Sequence, residues 1–429
     1  MSAYRFFSKQ AAPLFGVMML AVVAFSCTQP KDKTATATVG TDMPALFERQ
    51  GELAKAVEWE RTKSKVAELK QKITSHPSEV KPRLQLATIY LSEARITGEH
   101  PYYYPAVLSI LDGVLTIDPN NFEATTFKAS VKMSQHQFAE ARTLARQARN
   151  INPNNAYVYG VLVDANVELG NYDEAVTMSD TMQRLKPSLE SYSRASYLRE
   201  IYGNYPGAIA VMKLAVQAGL PGSEPQCWSK TTLGYLYETT GKLKEAEMQY
   251  NEILAMRPSY AFALRGLARI HKSRKEYDKA LALLAQAAGI MPEFSFHEDM
   301  ADIYALQGQT EKARTKYAEV VKMLEEDAKS GHAVDLELCK LFTKSGQWEL
   351  AQAYGLKEYQ KRPKNIDVNQ ALAWVYFNQK NFQKARQHMQ VALRTGNKDP
   401  ERLQQAGAIE IALGHVPQQK KLLAEAQKN

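Results

Sequence analysis

The sequence predicts an all-α fold: a solenoid of about ten stacked helix pairs behind an N-terminal helical cap. Three observations carry that reading. Prolines recur at one constant interval, from Pro119 to Pro153, Pro187 and Pro221, and again from Pro258 to Pro292. Alanines keep step with them at Ala141, Ala175, Ala208, Ala246, Ala280, Ala313, Ala351 and Ala385, where the short steps match or nearly match the proline interval and every third step is longer. Between the two ladders apolar residues fall at helical spacing, as in Leu264, Leu267 and Ala268. A fixed period of this size means that one small unit is stacked many times, with the core spread along the array instead of gathered at one centre.

Residues 1–26 precede the array and read as a secretory signal. Arg5 and Lys9 lead into an apolar run from Ala11 to Phe25, closed by small residues at Ala24 and Ser26. That run is shorter than the ~20 residues a helix needs to cross a bilayer. The cleavage site resembles the bacterial lipoprotein box, in which a cysteine takes a diacylglycerol before the signal is removed. Ala24 stands where that box usually has leucine. The resemblance implies lipid attachment at Cys27, and Thr28 behind it, in place of aspartate, implies an outer-membrane address in the cell envelope. The alternative is a soluble periplasmic protein with an incidental cysteine. Residues 27–42 are rich in Thr, Ala and Lys and have little to bury, so they read as a flexible tether with a reach on the order of 20 Å.

Residues 43–79 are expected to form capping helices, with Leu46, Phe47, Val66, Leu69 and Ile73 spaced to cover the open end of the array. From 80 to 429 the units follow. Each has a corner such as Gly170-Asn171-Tyr172-Asp173-Glu174-Ala175, where an alanine lets two helices approach, and each ends at a proline that cannot continue a helix. The alanine steps repeat in sets of three, so that Ala141, Ala246 and Ala351 are evenly spaced, with the extra residues at Gly219 to Gln226 and Glu325 to His332. A third irregularity, Gly98 to Pro105, reads as a lengthened corner loop presenting Tyr102, Tyr103 and Tyr104.

The residues Leu233-Gly234, Tyr237, Gly241, Ala246, Tyr250 and Pro258 resemble the tetratricopeptide repeat. That resemblance implies a right-handed α-solenoid and a non-catalytic scaffold or adaptor that holds other proteins or extended peptides in a concave groove lined by the first helix of each unit. Groove positions carried onto this chain include Tyr157, Asp164 and Glu168; Trp228, Tyr235 and Glu238; Phe262, Arg265, Arg269 and Lys272; Glu298 and Asp302; Lys340 and Lys344; and Trp374 and Phe377. Arg265, Arg269 and Lys272 beside Trp228 and Tyr235 form a basic strip flanked by aromatics. Such a strip suits an acidic or extended peptide. The bland reading of the same strip is a solvated face with its aromatics packed between helices.

Composition narrows the function classes. The formal charge of +8 is mild for 429 residues and no long run of one sign occurs, which argues against nucleic acid as a partner. The eight histidines are scattered singly and no phosphate loop, dinucleotide fingerprint or zinc-protease pair is present. The expectation is therefore no catalytic residues, no metal, no cofactor and no small-molecule substrate. A permanent structural subunit of an envelope complex is the alternative to an adaptor, and an enzyme of unrecognised class is the remote third. Cys227 and Cys339 lie far apart in the array and are not expected to pair.

Overall fold

A computed structural model describes residues 43–49, 54 and 57–426. The signal, Cys27 and the tether lie outside the described residues. Within them every regular element is an α-helix. Ten helix pairs follow one capping helix, and in each pair the first helix is called A and the second B. Unit 1 comprises Val80–Thr97 and His100–Ile117, unit 2 Phe122–Ser134 and Phe138–Ile151, and unit 3 Ala156–Glu168 and Tyr172–Leu185. Unit 4 comprises Leu189–Ile201 and Tyr205–Ala218, unit 5 Glu224–Thr239 and Leu243–Met256, and unit 6 Ala261–Ser273 and Tyr277–Ala288. Units 7 to 10 are Phe294–Leu306 with Thr310–Lys329, Asp335–Lys344 with Trp348–Lys361, Ile366–Asn378 with Phe382–Ala392, and Pro400–Ala412 with Val416–Ala426.

The period marks a backbone requirement. Each corner between helices A and B carries one residue with positive φ: Gly98, His136, Gly170, Gly203, Gly241, Lys275, Gly308, Gly346, Lys380 and Gly414. This left-handed residue ends helix A and turns the chain back, a role for which glycine has the lowest steric cost. The periodic alanines then sit buried where the two helices are closest, and Ala141, Ala175, Ala208, Ala246, Ala280, Ala351 and Ala385 are fully enclosed. Tyr250 fills the space beside two such approaches. A Cβ added at Gly234 or Gly266 would strike its ring, so these glycines in neighbouring A helices clasp one tyrosine.

Two expectations need correction. Gly98 to Pro105 is not a lengthened corner, because His100 already begins helix B with Pro101 in its first turn, where a missing N–H costs nothing. Tyr103 and Tyr104 are buried and only Tyr102 stays partly exposed. The extra length is a longer B helix, to Ile117. The cap is also less helical than expected. One helix, Val57–Ser75, packs on unit 1, while residues 43–49 run across it without regular structure. The Pro44 carbonyl accepts from Tyr90 Oη and Lys70 Nζ at 2.6 Å each, the Phe47 amide donates to Tyr103 Oη at 2.9 Å, and Tyr102 Oη donates to the Ala45 carbonyl at 2.8 Å. Arg49 donates twice to buried Glu93, at 2.6 and 3.0 Å, beneath Trp59. The tyrosines thus hold the cap.

The array winds far enough that its second turn touches its first. The corner of unit 2 meets the junction between units 7 and 8: the Ala333 amide donates to the Gln135 carbonyl at 2.9 Å, and the Gln135 and Gln137 side-chain amides donate to the Ser330 and Gly331 carbonyls. The corner of unit 3 meets the junction between units 8 and 9, where Asn365 Nδ2 donates to the Glu168 carbonyl and the Ile366 amide donates to Tyr172 Oη. The corner of unit 4 meets the junction between units 9 and 10 through Asn397 Nδ2 and the Glu200 carbonyl at 3.1 Å. These side-chain contacts link residues 194 to 197 positions apart. One of the irregular stretches serves this seam. Helix B of unit 7 is prolonged to Lys329, and its extra turns carry Ser330–Ala333 onto unit 2.

Candidate functional site

The seam borders a lumen lined by A helices. A cavity of about 460 Å³ opens there, walled on the first turn by Phe138, Asp164, Glu168 and Tyr197 and on the second by Leu336, Glu337, Arg362 and Asp367. All but Phe138 and Arg362 come from A helices, and Asp164 and Glu168 are among the groove positions named from the sequence. Tyr197 and Tyr235 show the character of the wall. They are 40% and 41% exposed, yet the surrounding protein pushes both phenols up, Tyr235 to about 12, chiefly by desolvation. Tyr197 faces the cavity that it lines.

The sequence-predicted basic strip is present but is not a free positive surface. Arg265 Nε lies 2.6 Å from Asp299, and Arg269 donates to both oxygens of Glu238 at 3.0 and 2.8 Å and to Tyr250 Oη at 3.1 Å, while Tyr250 Oη donates to Glu238. The Arg269 guanidinium also lies 5.8 Å from the Tyr235 ring centre. Lys272 stands 3.8 Å from Asp302, which also takes Lys344 at 2.9 Å, with Glu298 at 2.7 Å. Trp228 is 49% exposed and meets Phe262 edge-on at 5.4 Å. Trp374 and Phe377 form a separate stacked pair at 4.6 Å in unit 9. Cys227 and Cys339 are buried free thiols, each near the start of an A helix.

These ion pairs follow a rule. Arg194 reaches Asp164 at 2.6 Å and Arg402 reaches Asp367 at 2.5 Å, so opposite charges one unit apart meet along the lumen in unit after unit. That spacing was open to sequence inspection. Hidden from it were the pairs across the seam. Arg362, 4% exposed, donates to Glu168 Oε2 and to Glu358 Oε1 at 2.5 Å each, with its guanidinium 4.7 Å above Phe138. Arg394 caps the Gly170 and Lys364 carbonyls at 2.6 and 2.9 Å.

Glu200 stands outside this pairing. Glu200 is pushed up to about 7, first by burial and then by Asp399 and Asp367, with Arg402 opposing. Its folded value lies above its unfolded one, so its contribution is a cost that appears as pH rises from about 4.5 to 7. Glu200→Gln is expected to raise stability at pH 8 by on the order of 1 to 3 kcal/mol and to change little at pH 5. Melting curves of both proteins at the two pH values check this, and an equal effect at both would reject it.

Comparison with known proteins places these features. Residues 232–343 match a family described as "Tetratricopeptide repeat-like domain", and residues 132–195 one described as "Tetratricopeptide repeat". The human mitochondrial import receptor subunit TOM70 is 25% identical over 263 residues, 58% of this chain and 42% of that protein. The Drosophila melanogaster BBSome complex member BBS4 homolog is 24% identical over 202 residues, 45% of this chain and 42% of that one. The chain thus spans 42% of the length of both curated relatives. Among solved structures, a human IFIT1 dimer with m7Gppp-AAAA superposes with a TM-score of 0.50 at 16% identity, covering 74% of this chain and 72% of that one, a likeness of fold alone. Among the described residues the chain is an all-helical solenoid, and it carries tetratricopeptide-type repeats at residues 132–195 and 232–343.

Proposed function

We propose that this chain is a non-catalytic adaptor that binds other proteins as extended segments along its lumen, and that it does so in the bacterial cell envelope as an outer-membrane lipoprotein anchored at Cys27. The observation that carries the binding reading is the lumen wall itself. A helices of successive units leave Tyr197, Trp228 and Tyr235 exposed, with Tyr197 on the wall of the seam cavity, where an extended chain could lie against several units at once. The names of the two curated relatives, an import receptor subunit and a complex member, describe proteins that work with other proteins, in keeping with this reading. The anchor rests on the residues around Cys27 alone. No helix among the described residues is long and apolar enough to cross a membrane.

A photo-crosslinking side chain at position 197 or 235 of the full chain is expected to capture the same protein partners, while one at the exposed Leu214 of a B helix should not. Equal capture at all three positions would sink the lumen reading. Cys27→Ala should move the chain from the membrane fraction to the soluble one. Unchanged sedimentation, with unchanged incorporation of a lipid precursor, would remove the anchor.

A further inference from the structure

The seam also reaches unit 1, and there it is built around histidines. Gly98, at the corner of unit 1, lies against the junction between units 6 and 7, close enough that a Cβ on it would come within 3.1 Å of Met291 and 3.2 Å of Pro292. His100 follows at the start of helix B. Its ring stacks on that of Tyr104 at 5.1 Å, and His332, from the junction between units 7 and 8, stacks on the same tyrosine at 5.8 Å. The two imidazoles are 6.4 Å apart, so three rings from two turns form one closed triangle. Next in the chain is Ala333, whose amide donates to the Gln135 carbonyl at 2.9 Å and whose carbonyl lies 3.1 Å from His136 Nδ1. The histidines therefore sit on the contact between the turns.

This cluster suits neutral imidazoles. His332 Nδ1 is buried and has no hydrogen-bond partner. A protonated ring donates from both nitrogens, so charging His332 adds a buried donor without an acceptor, at a cost that stacking on one tyrosine face does not offset. No ion pair reaches either imidazole among the described residues. Arg95, from the A helix of unit 1, opposes a charge on His100 and stands 3.7 Å from Glu224, while the neighbouring Glu99 carboxyl is itself pushed up by burial. His332 faces His136 of unit 2 and the Asp327 carbonyl, and Glu337 of unit 8 stands 3.8 Å from His136. Burial, then His332 and Arg95, push His100 down to about 4, and burial and His136 do the same to His332, with the Asp327 carbonyl opposing. The rings do not make a metal site, since no three carboxylate, histidine or cysteine groups among the described residues are close enough to hold an ion.

We propose that His100 and His332 form an acid-released latch: as neutral rings stacked with Tyr104 they hold the second turn on units 1 and 2, and as imidazolium ions they part and open the seam there. This goes beyond the adaptor reading and does not rest on it. Both histidines have folded values below the ordinary 6.5, so the stability they lend the seam is complete above that pH and is lost as pH falls toward 4. Asp327 acts in the opposite sense. It is pushed up to about 6, first by burial and then by Glu293 and Glu326, so acid relieves its cost, as it relieves that of Glu200 at the corner of unit 4. Each histidine is displaced about as far as Asp327, and two outweigh one. His136 already has the Ala333 carbonyl and Glu337 before it, so a proton there does not part the turns.

Hydrogen exchange of the full chain at pH 7.5 and pH 4.5, corrected for the intrinsic effect of pH on each amide, tests this at Ala333. Its protection is expected to fall by about a hundredfold in acid, while helix amides of unit 5 keep theirs. His100→Phe with His332→Phe keeps three stacked rings and removes both sites of protonation. In that variant Ala333 protection should change by no more than about threefold between the two pH values. A wild-type seam as well protected at pH 4.5 as at pH 7.5 overturns the proposal, and so does an acid loss that persists undiminished in the double variant. Tighter protection in acid overturns it too, and gives the proton to the pair of His136 and Glu337. If the double variant has already lost the seam at pH 7.5, carbon-13 NMR of the histidines in the wild-type chain decides. His100 and His332 should then titrate below about pH 5 in the folded chain, and titration of either near the ordinary value of about 6.5 overturns the proposal.

Discussion

Arg362→Ala is expected to destabilise the second half of the array by about 3 to 5 kcal/mol, the range for removing one partner of a buried ion pair. Arg362 belongs to unit 8, but half of its work is done in unit 3. It bonds Glu358 within its own helix end and Glu168 across the seam, and it covers Phe138 of unit 2. Truncation leaves Glu358, 3% exposed, with only Lys361 at 3.2 Å, and leaves Glu168 facing a cavity without its cation. The loss therefore divides between local unfolding and opening of the seam. Hydrogen exchange separates the two. The Ile366 and Ala333 amides, bonded to Tyr172 Oη and the Gln135 carbonyl, should lose protection by about a hundredfold, while core amides of unit 5 keep theirs. Arg362→Met combined with Glu168→Gln removes both charges of the seam pair and should recover much of the loss. If the seam amides keep full protection in Arg362→Ala, the two turns are held by something other than this pair.

Much of this architecture was legible because the repeat writes its backbone needs into the sequence at fixed places. Ala246, Tyr250 and Gly234 are legible as one corner since only a small residue, a large one and a bare backbone fit together there. The three-unit order proves more regular than the alanines showed. The left-handed corner residues Gly98, Gly203 and Gly308 each precede the next corner by the long step of the ladder, so unit 1 joins the pattern although Tyr103 occupies its alanine place. Tyr102 to Tyr104 mislead for a related reason. A run of tyrosines between prolines resembles a loop, but Pro101 sits in the first helical turn, where proline is tolerated, Pro105 lies inside the helix, and Tyr102 and Tyr103 answer to the cap. Pairing of Arg265 with Asp299 lay within reach of the eye, one repeat apart. The seam did not, because the pitch of a superhelix is the sum of small rotations between units that no single residue sets. Most of its contacts, including those of Gln135, Gln137 and Asn397 with 194 to 197 positions between partners, fall on loops, where sequence pattern is weakest.

Gly170→Ala and Gly203→Ala should open the seam, and a matched substitution elsewhere shows why the effect is not merely local. Gly170, Gly203 and Gly346 all end an A helix with φ of +75°, +71° and +76°. Alanine pays about 1 to 2 kcal/mol for that left-handed conformation wherever it is placed. At Gly346, in the second turn, a Cβ meets nothing within 4 Å, so Gly346→Ala should cost that amount and no more. At Gly170 the new methyl collides with the Lys364 carbonyl and the Asn365 amide, and at Gly203 with the Gly396 carbonyl, all from the following turn. Backbone on both sides cannot give way as a side chain can. The turns must separate, releasing the Asn365, Arg394 and Asn397 bonds together. Gly170→Ala with Gly203→Ala is thus expected to keep the helical circular dichroism of the parent, to lose protection at Ile366, and to scatter X-rays as a longer particle. Identical scattering and exchange in Gly170→Ala and Gly346→Ala would show that the two turns merely lie side by side.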